Sequence, residues 1–377
     1  MSSFKEKTTV VIAGAGPSGT MAAIQLLKRD IKDVIIVDRV KLPRQKPCAG
    51  GISPATVKFL KKIDMESILK DCSSAVDMGT LRFVGPDGSD NIFSSNLKAQ
   101  VINRKDFDTV LLNLAIEMGA KFISGFTLRE LIKNNEGVIT GIKDGDKIIE
   151  SAVTIIATGG HNKDMRKNHF PDKRPLKKMA SRIGWWKDFD LIDGHLEMIF
   201  DKELLPHYGW VFPESNGIVN IGLCIYEENL NGKTITEVFN NFLDKYYGDR
   251  LKNAQLVGKI LSYPINTDSS IKGVAAPGLL LCGEAGRMCN PATAEGISFA
   301  LESGYLAAQT IKDALKEGSI DQKKLMQYEK KCKKAFNMRL RGSAVFSYLV
   351  TTRFFTALIS LGSNPIIKKI VNRVIPA

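Results

Sequence analysis

The sequence lacks the patterns that mark secreted, metal-binding and nucleic-acid-binding proteins. Its six cysteines form no CxxC pair and no regular framework, which excludes a disulfide scaffold and favours free thiols in a reducing compartment. The four histidines have no spacing typical of a metal site or a catalytic triad, so we predict no metal. Aromatic residues do not alternate with basic residues in a stacking pattern and no nucleic-acid-binding motif occurs, so we expect no nucleic-acid partner.

Long hydrophobic runs are also absent. The apolar segment at residues 8–13 reaches glycines too early for the core of a signal peptide, and no twin-arginine pattern precedes it. Residues 343–362 are apolar, but Arg353 lies in their middle, which favours a buried or interfacial helix over a membrane span. We therefore expect a cytoplasmic protein, and its 377 residues are enough for a sizeable core.

Acidic residues are missing from residues 332–377, whereas eight Lys or Arg residues stand there between apolar stretches. The formal net charge of the whole chain is +13. A basic, apolar and acid-free segment suits the anionic headgroups of a membrane surface. A pair of helices packed on the main body explains the composition equally well. We predict a C-terminal helical region at residues 331–377 that either faces a membrane at the cytoplasmic side or packs on the body.

A βαβ unit is recognisable near the start of the sequence. A β-branched run ends in the segment GAGPSG, residues 14–19, which is followed by an apolar helical pattern and a strand that ends at Asp38. Gly14 permits a tight turn, Gly16 lets a pyrophosphate approach the backbone, and Gly19 allows contact between helix and strand. Asp38 is placed to accept a hydrogen bond from a ribose hydroxyl. The unit therefore predicts a dinucleotide site.

A second strand followed by glycines lies at residues 279–304. Glu284 comes just after this strand, where an acid can hold a ribityl hydroxyl. The helix that we predict at residues 294–316 directs its positive end at the N1 and O2 region of a flavin, where reduction places negative charge. A protein that uses only NAD has no need of this block. The two glycine blocks together predict FAD.

The two glycine blocks belong to one discontinuous domain. Helix and strand patterns continue the first block, whereas two other segments are rich in strands and aromatic residues. We predict an α/β protein with a Rossmann-like FAD-binding domain, an inserted antiparallel β-sheet domain for the substrate, and the C-terminal helical region. The FAD-binding domain takes residues 1–76, 99–163 and 267–330, and the substrate domain takes residues 77–98 and 164–266.

In this order the motifs resemble those of the FAD-dependent oxidoreductases with the para-hydroxybenzoate hydroxylase fold, over residues 8–330. Two segments resemble the geranylgeranyl reductase family in particular. HYGWVFP, residues 207–213, matches its Tyr-x-Trp-x-Phe-Pro signature. KPCAGGIS, residues 46–53, is similar to its Lys-Pro-Cys-Gly-Gly-Gly segment, with Ala49 in place of the first glycine. The fold usually carries Asp where this chain has Glu284.

The resemblance implies which residues bind FAD and substrate. The implied FAD-binding residues are Gly14, Gly16, Pro17, Ser18, Gly19, Asp38, Arg39, Cys48, Ala49, Gly50, Arg104, Ala157, Thr158, Gly159, Gly283, Glu284, Gly286, Pro291, Glu295, Gly296 and Ile297. The implied substrate pocket contains Gly50, Gly51, His207, Tyr208, Trp210, Phe212 and Pro213, with Cys48 and Tyr208 as catalytic candidates. Because alternate residues of a strand share a face, Tyr208, Trp210 and Phe212 can form one apolar wall, although core packing of the sheet is the simpler role.

The resemblance also implies an activity, the FAD-dependent saturation of C=C bonds in a geranylgeranyl-type isoprenoid chain. Hydride would come from N5 of reduced flavin, and a proton from Tyr208, Cys48 or an ordered water. The electron donor would be NAD(P)H or a protein such as ferredoxin, because the sequence has no second dinucleotide fingerprint. Two alternatives stay open: a monooxygenase for an apolar or aromatic substrate, and a flavin halogenase, whose Trp-x-Trp-x-Ile-Pro signature residues 207–213 do not match.

Overall fold

The computed structural model describes residues 4–161, 169–170, 177–191, 195–316 and 319–360. Parts of all three predicted regions lie outside the described residues: residues 1–3, 162–163 and 317–318 of the FAD-binding domain, residues 164–168, 171–176 and 192–194 of the substrate domain, and residues 361–377 of the C-terminal region.

The chain forms both strands and helices, and the strands β6 to β13 follow one another with no α-helix among the described residues between them. The strands are β1 (Lys5–Ala13), β2 (Val34–Asp38), β3 (Gly51–Ile52), β4 (Val76–Val84), β5 (Asp90–Val101), β6 (Lys121–Ser124), β7 (Glu130–Lys133), β8 (Ile139–Asp144), β9 (Lys147–Ile156), β10 (Lys177–Lys187), β11 (His195–Ile199), β12 (Gly209–Pro213), β13 (Ile218–Tyr226), β14 (Gln255–Leu256), β15 (Leu261–Thr267), β16 (Ala275–Ala276), β17 (Leu279–Leu281), β18 (Leu315–Lys316) and β19 (Ser319–Ile320). The helices are α1 (Pro17–Leu27), α2 (Pro54–Lys62), α3 (Arg104–Glu117), α4 (Ile235–Tyr247), α5 (Ile297–Ala314), α6 (Gln322–Leu325), α7 (Gln327–Val350) and α8 (Arg353–Ser360).

The first large sheet has the strand order β16-β17-β9-β1-β2-β6, and the β7–β8 hairpin joins it beside β9. The pairs β17–β9, β9–β1, β1–β2 and β2–β6 are parallel. Parallel sheets are covered by helices on both faces, so their strands are nearly continuous apolar runs, as in the sequence VIIVD of β2. This arrangement confirms the predicted Rossmann-like half of an α/β fold.

Helices α1 and α5 lie against each other on this sheet. A Cβ atom on Gly304 of α5 would lie 2.3 Å from the carbonyl oxygen of Ser18, so only glycine permits this approach. The predicted span of α5 at residues 294–316 is wrong at both ends. Ala294 has a φ of 54°, which no right-handed helix accommodates, so the helix begins at Ile297. It ends at Ala314, because the next two residues form β18.

The second large sheet has the strand order β14-β10-β13-β12-β11-β4-β5-β3. Strand β15 also pairs with β10, on the same edge as β14 and opposite β13. Its pairs are antiparallel, as predicted, except that β11 and β4 run parallel. These two strands come from separate segments of the chain, so no tight turn has to join them. The predicted inserted sheet is therefore confirmed, and its strands come from residues 51–101 and 177–267.

The two faces of the second sheet bury different clusters of side chains. Val211 of β12 packs with Phe239 and Phe242 of helix α4 on one face. Trp210 and Phe212 point to the opposite face, as expected for alternate residues of a strand. We did not predict α4, although its capping box, Thr234 followed by Glu237, is a sequence signal for a helix start.

Helices α7 and α8 cover parts of both sheets. The Arg339 guanidinium of α7 is 2.8 Å from the Glu302 carboxylate of α5 and lies 4.2 Å from the centre of the Phe299 ring. Phe355 and Ile359 of α8 pack in the same cluster as Trp210. Among the residues that the structure describes, none of the helices is both long enough and apolar enough to cross a bilayer.

Candidate active site

A cavity of about 340 Å³ opens where the parallel strands β1 and β2 end, which is where α/β folds bind nucleotides. Gly14, Asp38, Arg39 and Thr158 line it, so four of the predicted FAD-binding residues meet there. The wall also contains residues that we do not predict as site residues from the sequence, although Lys46 begins the segment KPCAGGIS: Arg44, Gln45, Lys46, Phe126, Thr127, Leu128 and Tyr263. Residues 126–128 follow β6, which runs parallel to its neighbour β2. Because parallel strands end at the same edge of a sheet, the sequence position of these residues just after β6 could have indicated that they line the site.

The glycine turn has the geometry of a pyrophosphate site. Gly14 has a φ of 117°, and a Cβ atom there would lie 2.3 Å from the carbonyl oxygen of Ala157. Asp38 braces the turn, because its Oδ2 accepts a hydrogen bond of 2.9 Å from the backbone N–H of Ala15. Helix α1 begins at Pro17 after Gly16, with no side chain capping its N-terminus. Its first N–H groups are thus available to an anion.

Two arginines share one buried carboxylate beside this turn. Arg104 donates two hydrogen bonds to Asp108, of 2.8 and 2.9 Å, and Asp108 is fully buried. Nη1 of Arg44 lies 3.2 Å from Asp108 without hydrogen-bond geometry, and it has no other partner among the described residues. Burial by itself lowers the pKa of Arg104, but Asp108 and Cys48 outweigh it and hold that pKa above its ordinary value. The group therefore carries a net positive charge next to the glycine turn.

Glu284 lies beside Tyr263, which lines the cavity. The Tyr263 hydroxyl donates to Oε2 at 2.9 Å, and the backbone N–H of Asn266 donates to Oε1 at 3.0 Å. Burial raises the pKa of Glu284, and Lys46 opposes this. Burial lowers the pKa of Lys46 to about 8, and its ammonium lies 3.3 Å from the centre of the Tyr263 ring. The longer acid of this chain is thus seated by partners from β15, which the sequence did not reveal.

The rest of the late block surrounds the start of α5. Gly296 is its N-cap and Ile297 its first residue, and Ser53 donates a hydrogen bond of 2.5 Å to Glu295. The Pro291 carbonyl accepts a hydrogen bond of 3.1 Å from Ser347 of α7. Two predicted glycines behave differently. A Cβ atom on Gly283 would lie 3.1 Å from the Ser18 hydroxyl at the start of α1, whereas one on Gly286 would lie 2.9 Å from the Met288 side chain, and neither glycine lines the cavity.

The Cys48 segment connects the two sheets. The Cys48 carbonyl accepts a hydrogen bond of 3.3 Å from Nδ2 of Asn220, and Oδ1 of Asn220 accepts one of 2.8 Å from the Trp210 indole. The Phe212 ring lies 3.2 Å from the place that a Cβ atom on Gly51 would take. Asn220, which we did not predict, is fully buried and fixes the thiol segment against the aromatic wall.

Tyr208, Trp210 and Phe212 do form one wall. The centres of the Tyr208 and Trp210 rings are 6.1 Å apart, and those of Trp210 and Phe212 are 6.4 Å apart. The Tyr208 hydroxyl donates a hydrogen bond of 2.6 Å to the Thr293 carbonyl, and burial raises the pKa of this hydroxyl well above its ordinary value. Pro213 ends β12 and, by alternation, lies on the face of Val211 rather than on this wall.

His207 is fully buried just before the wall and packs edge-on against Tyr226, with 4.4 Å between ring centres. Neither ring nitrogen reaches a hydrogen-bond partner within the described part of the chain. Burial lowers the pKa of His207 to about 4, and the nearby backbone of Ala292 offsets only part of that effect.

The residues at the cavity fit FAD. The hydroxyl of Thr158 and Nη1 of Arg44 are buried polar atoms without a hydrogen-bond partner among the described residues, and both residues line the cavity. The uncapped start of α1 and the two arginines supply donors and positive charge for a pyrophosphate. Orphaned donors of this kind are costly unless a ligand satisfies them.

Comparisons with known proteins agree with this geometry. Residues 7–169 match a family described as FAD binding domain, and residues 186–262 match the geranylgeranyl reductase catalytic domain. A digeranylgeranylglycerophospholipid reductase of Methanothrix thermoacetophila is 27% identical, over 93% of this chain and 88% of its own length. A menaquinone reductase of Mycolicibacterium smegmatis is 29% identical, over 80% of this chain and 76% of its own length.

Solved structures share the fold. A geranylgeranyl bacteriochlorophyll reductase-like protein from Thermoplasma acidophilum has a TM-score of 0.83 at 22% identity, covering 98% of this chain and 100% of that one. The flavin-dependent brominase Bmp2 has a TM-score of 0.79 at 19% identity, covering 98% and 93%. Identities this low show the fold alone, so the two matched domains and the sequence relatives carry the assignment. The chain carries an FAD binding domain followed by a geranylgeranyl reductase catalytic domain, and it is an FAD-dependent oxidoreductase of the geranylgeranyl reductase type.

Proposed function

We propose that this protein saturates C=C bonds of a geranylgeranyl-type isoprenoid chain. The observation that carries the proposal is the position of the aromatic wall. Phe212 covers Gly51, and Trp210 is tied through Asn220 to Cys48, so an apolar pocket wall stands against the segment expected beside the flavin. An unactivated alkene has no group that binds by charge, so it has to be positioned by shape and apolar contact.

In this proposal the two sheets bind different molecules. The first sheet and its helices hold FAD, with pyrophosphate at residues 14–19 and the ribityl chain near Glu284. The second sheet holds the prenyl chain along Tyr208, Trp210 and Phe212. Bound FAD, once reduced, supplies the hydride. The residues of the chain exclude water and orient the alkene, and one of them protonates the second alkene carbon.

Cys48 is the better candidate for the proton donor. The Tyr208 hydroxyl already donates to the Thr293 carbonyl at 2.6 Å, so its proton is committed to holding the loop before α5. The Cys48 side chain is only partly buried and lies within hydrogen-bonding reach of Arg104. We therefore assign Tyr208 a positioning role and Cys48 the proton transfer.

Electrons and substrate come from outside the chain. We infer NAD(P)H or a protein such as ferredoxin as the electron donor, acting at the flavin. We also infer contact with an anionic membrane at the cytoplasmic face through helices α7 and α8, because the lipid substrate resides there. Their exposed apolar side chains, Met338, Val345, Phe346, Tyr348, Leu349 and Phe354, support this contact.

One experiment tests the activity. The FAD-loaded protein is reduced with dithionite under anaerobic conditions, incubated with a geranylgeranyl lipid, and the lipid is analysed by mass spectrometry. The proposal expects products heavier by two hydrogens per reduced bond. In a parallel aerobic reaction with NAD(P)H, a product that gains oxygen instead would identify a monooxygenase and overturn the reductase.

A further inference from the structure

A continuous row of aromatic rings runs from the C-terminal helices to the Cys48 segment. The ring centres are 6.1 Å apart for Phe346 and Phe355, 5.1 Å for Phe355 and Phe200, and 5.6 Å for Phe200 and Tyr208. From Tyr208 the row continues along the aromatic wall to Phe212, which covers Gly51. One end of the row is therefore at the surface and the other is at the expected flavin.

At the surface end of this row, helix α8 has one solvent-exposed face and one buried face. Phe354 is 69% exposed, whereas its neighbour Phe355 is 8% exposed and contacts Phe200. The exposed face of α8 continues onto α7, where Met338 is 84% exposed and Tyr348 is 72% exposed. Because basic residues but no acids occur from residue 332 onward, this surface complements anionic phospholipids.

The two helices are attached to the body in different ways. Helix α7 is fixed to the FAD-binding half, since Arg339 binds Glu302 and Ser298 and Ser347 binds the Pro291 carbonyl. Helix α8 lies on the second sheet, where Asn91 donates a hydrogen bond of 2.6 Å to the Ile359 carbonyl near its last residue. The start of α8, with Phe355, is held there by apolar packing.

We propose that α8 is the entrance to the prenyl-chain pocket and that an anionic bilayer is what its outer face binds. The prenyl chain passes from the bilayer beneath α8, takes the place of Phe355 against Phe200, and follows the aromatic row to Gly51. Helix α7 remains fixed, so the entrance opens without disturbing the loop at Pro291. This inference deepens the proposed function and rests on it for the chemical class of the substrate.

The neighbours Phe354 and Phe355 supply a matched pair of variants. Binding of dispersed geranylgeraniol to the FAD-loaded protein is followed by stopped-flow tryptophan fluorescence, because Trp210 lies in the row. We expect F355A to increase the association rate constant about tenfold and F354A to leave it unchanged. Co-sedimentation with phosphatidylglycerol vesicles should show about tenfold weaker binding for F354A, and phosphatidylcholine vesicles should bind the wild type more weakly.

The outcomes separate the entrance from the activity. If geranylgeraniol binds the wild type and F355A with equal association rate constants, or if F354A and F355A increase the rate constant equally, α8 is not the entrance. Unchanged vesicle binding by F354A would overturn the bilayer as its occupant. Hydrogen addition to the lipid is measured separately, so a protein that binds geranylgeraniol as described but never reduces it refutes the proposed function and not the entrance. The FAD absorption spectrum of each variant checks that the fold is intact.

Discussion

The buried imidazole of His207 should make the stability of this protein fall between pH 7 and pH 5. The ring is fully buried and its nitrogens have no hydrogen-bond partner among the described residues, so protonation would place an unpaired charge in an apolar setting. Burial lowers its pKa from 6.5 to about 4. The perturbation that isolates this group is His207→Phe, which keeps a ring against Tyr226 and removes the titration.

The lowered pKa of His207 determines both the direction and the size of the change in stability with pH. Between pH 6.5 and pH 4 the unfolded chain binds a proton at His207 and the folded protein does not, so stability falls as the pH falls. The stability that depends on a neutral His207 is fully present above pH 6.5. A difference of roughly 2.5 pKa units corresponds to about 3 kcal/mol over the whole window, and about 2 kcal/mol of it is lost by pH 5.

The assay is urea unfolding of the FAD-loaded wild type and His207→Phe at pH 7 and pH 5, followed by circular dichroism. Other groups with shifted pKa values, such as Glu214 and Glu284, are present in both proteins and cancel in the comparison. Any overpacking by the larger ring is independent of pH and cancels as well. If both proteins lose the same free energy of unfolding from pH 7 to pH 5, His207 accepts a proton in the folded state and the reasoning fails.

Further predictions concern the centre of the site. Asp108→Asn should lower the free energy of unfolding by about 3 to 5 kcal/mol, because it leaves buried guanidinium charge without its counter-ion. Thermal unfolding and FAD titration measure this loss, and a loss below about 1 kcal/mol would contradict the prediction. Asn220→Ala should cost about 1 to 3 kcal/mol in a urea titration by leaving the Trp210 indole and the Cys48 carbonyl unpaired. Asn220→Asp should cost more, because it turns a buried carboxylate toward the Cys48 carbonyl and the Glu214 side chain, and an equal or smaller loss would contradict this. Cys48→Ala should lower kcat at least about 100-fold with little change in the FAD spectrum if this thiol delivers the proton, so an unchanged rate and product pattern would return Cys48 to a packing role.

The sequence was informative where a motif is local. The turn at Gly14, the acid at Asp38 and the helix of Arg104 each depend on residues close together in the chain, and the structure places all of them near the cavity. Alternation along β12 likewise predicted that Trp210 and Phe212 share a face, because the period of a strand needs no knowledge of its partners.

The parts that sequence reasoning missed depend on pairing between distant segments. Asn220 reaches Cys48 because β13 pairs with β12, and Tyr263 reaches Glu284 because β15 lies beside β10. No spacing within one segment reveals such contacts. The start of α5 was missed for a different reason, since the left-handed Ala294 is an unusual choice where glycine or asparagine is the common residue.

The close approach of Gly304 to Ser18 has a consequence for the way in which the protein matures in the cell. The two helices lie at opposite ends of the FAD-binding half in sequence, and their contact tolerates no side chain at residue 304. During synthesis the first glycine turn emerges long before its partner, so α1 cannot complete its packing until α5 has been made. We expect chains that end before residue 304 to bind FAD more weakly than the 377-residue chain, and to gain less of the stability that a bound ligand confers.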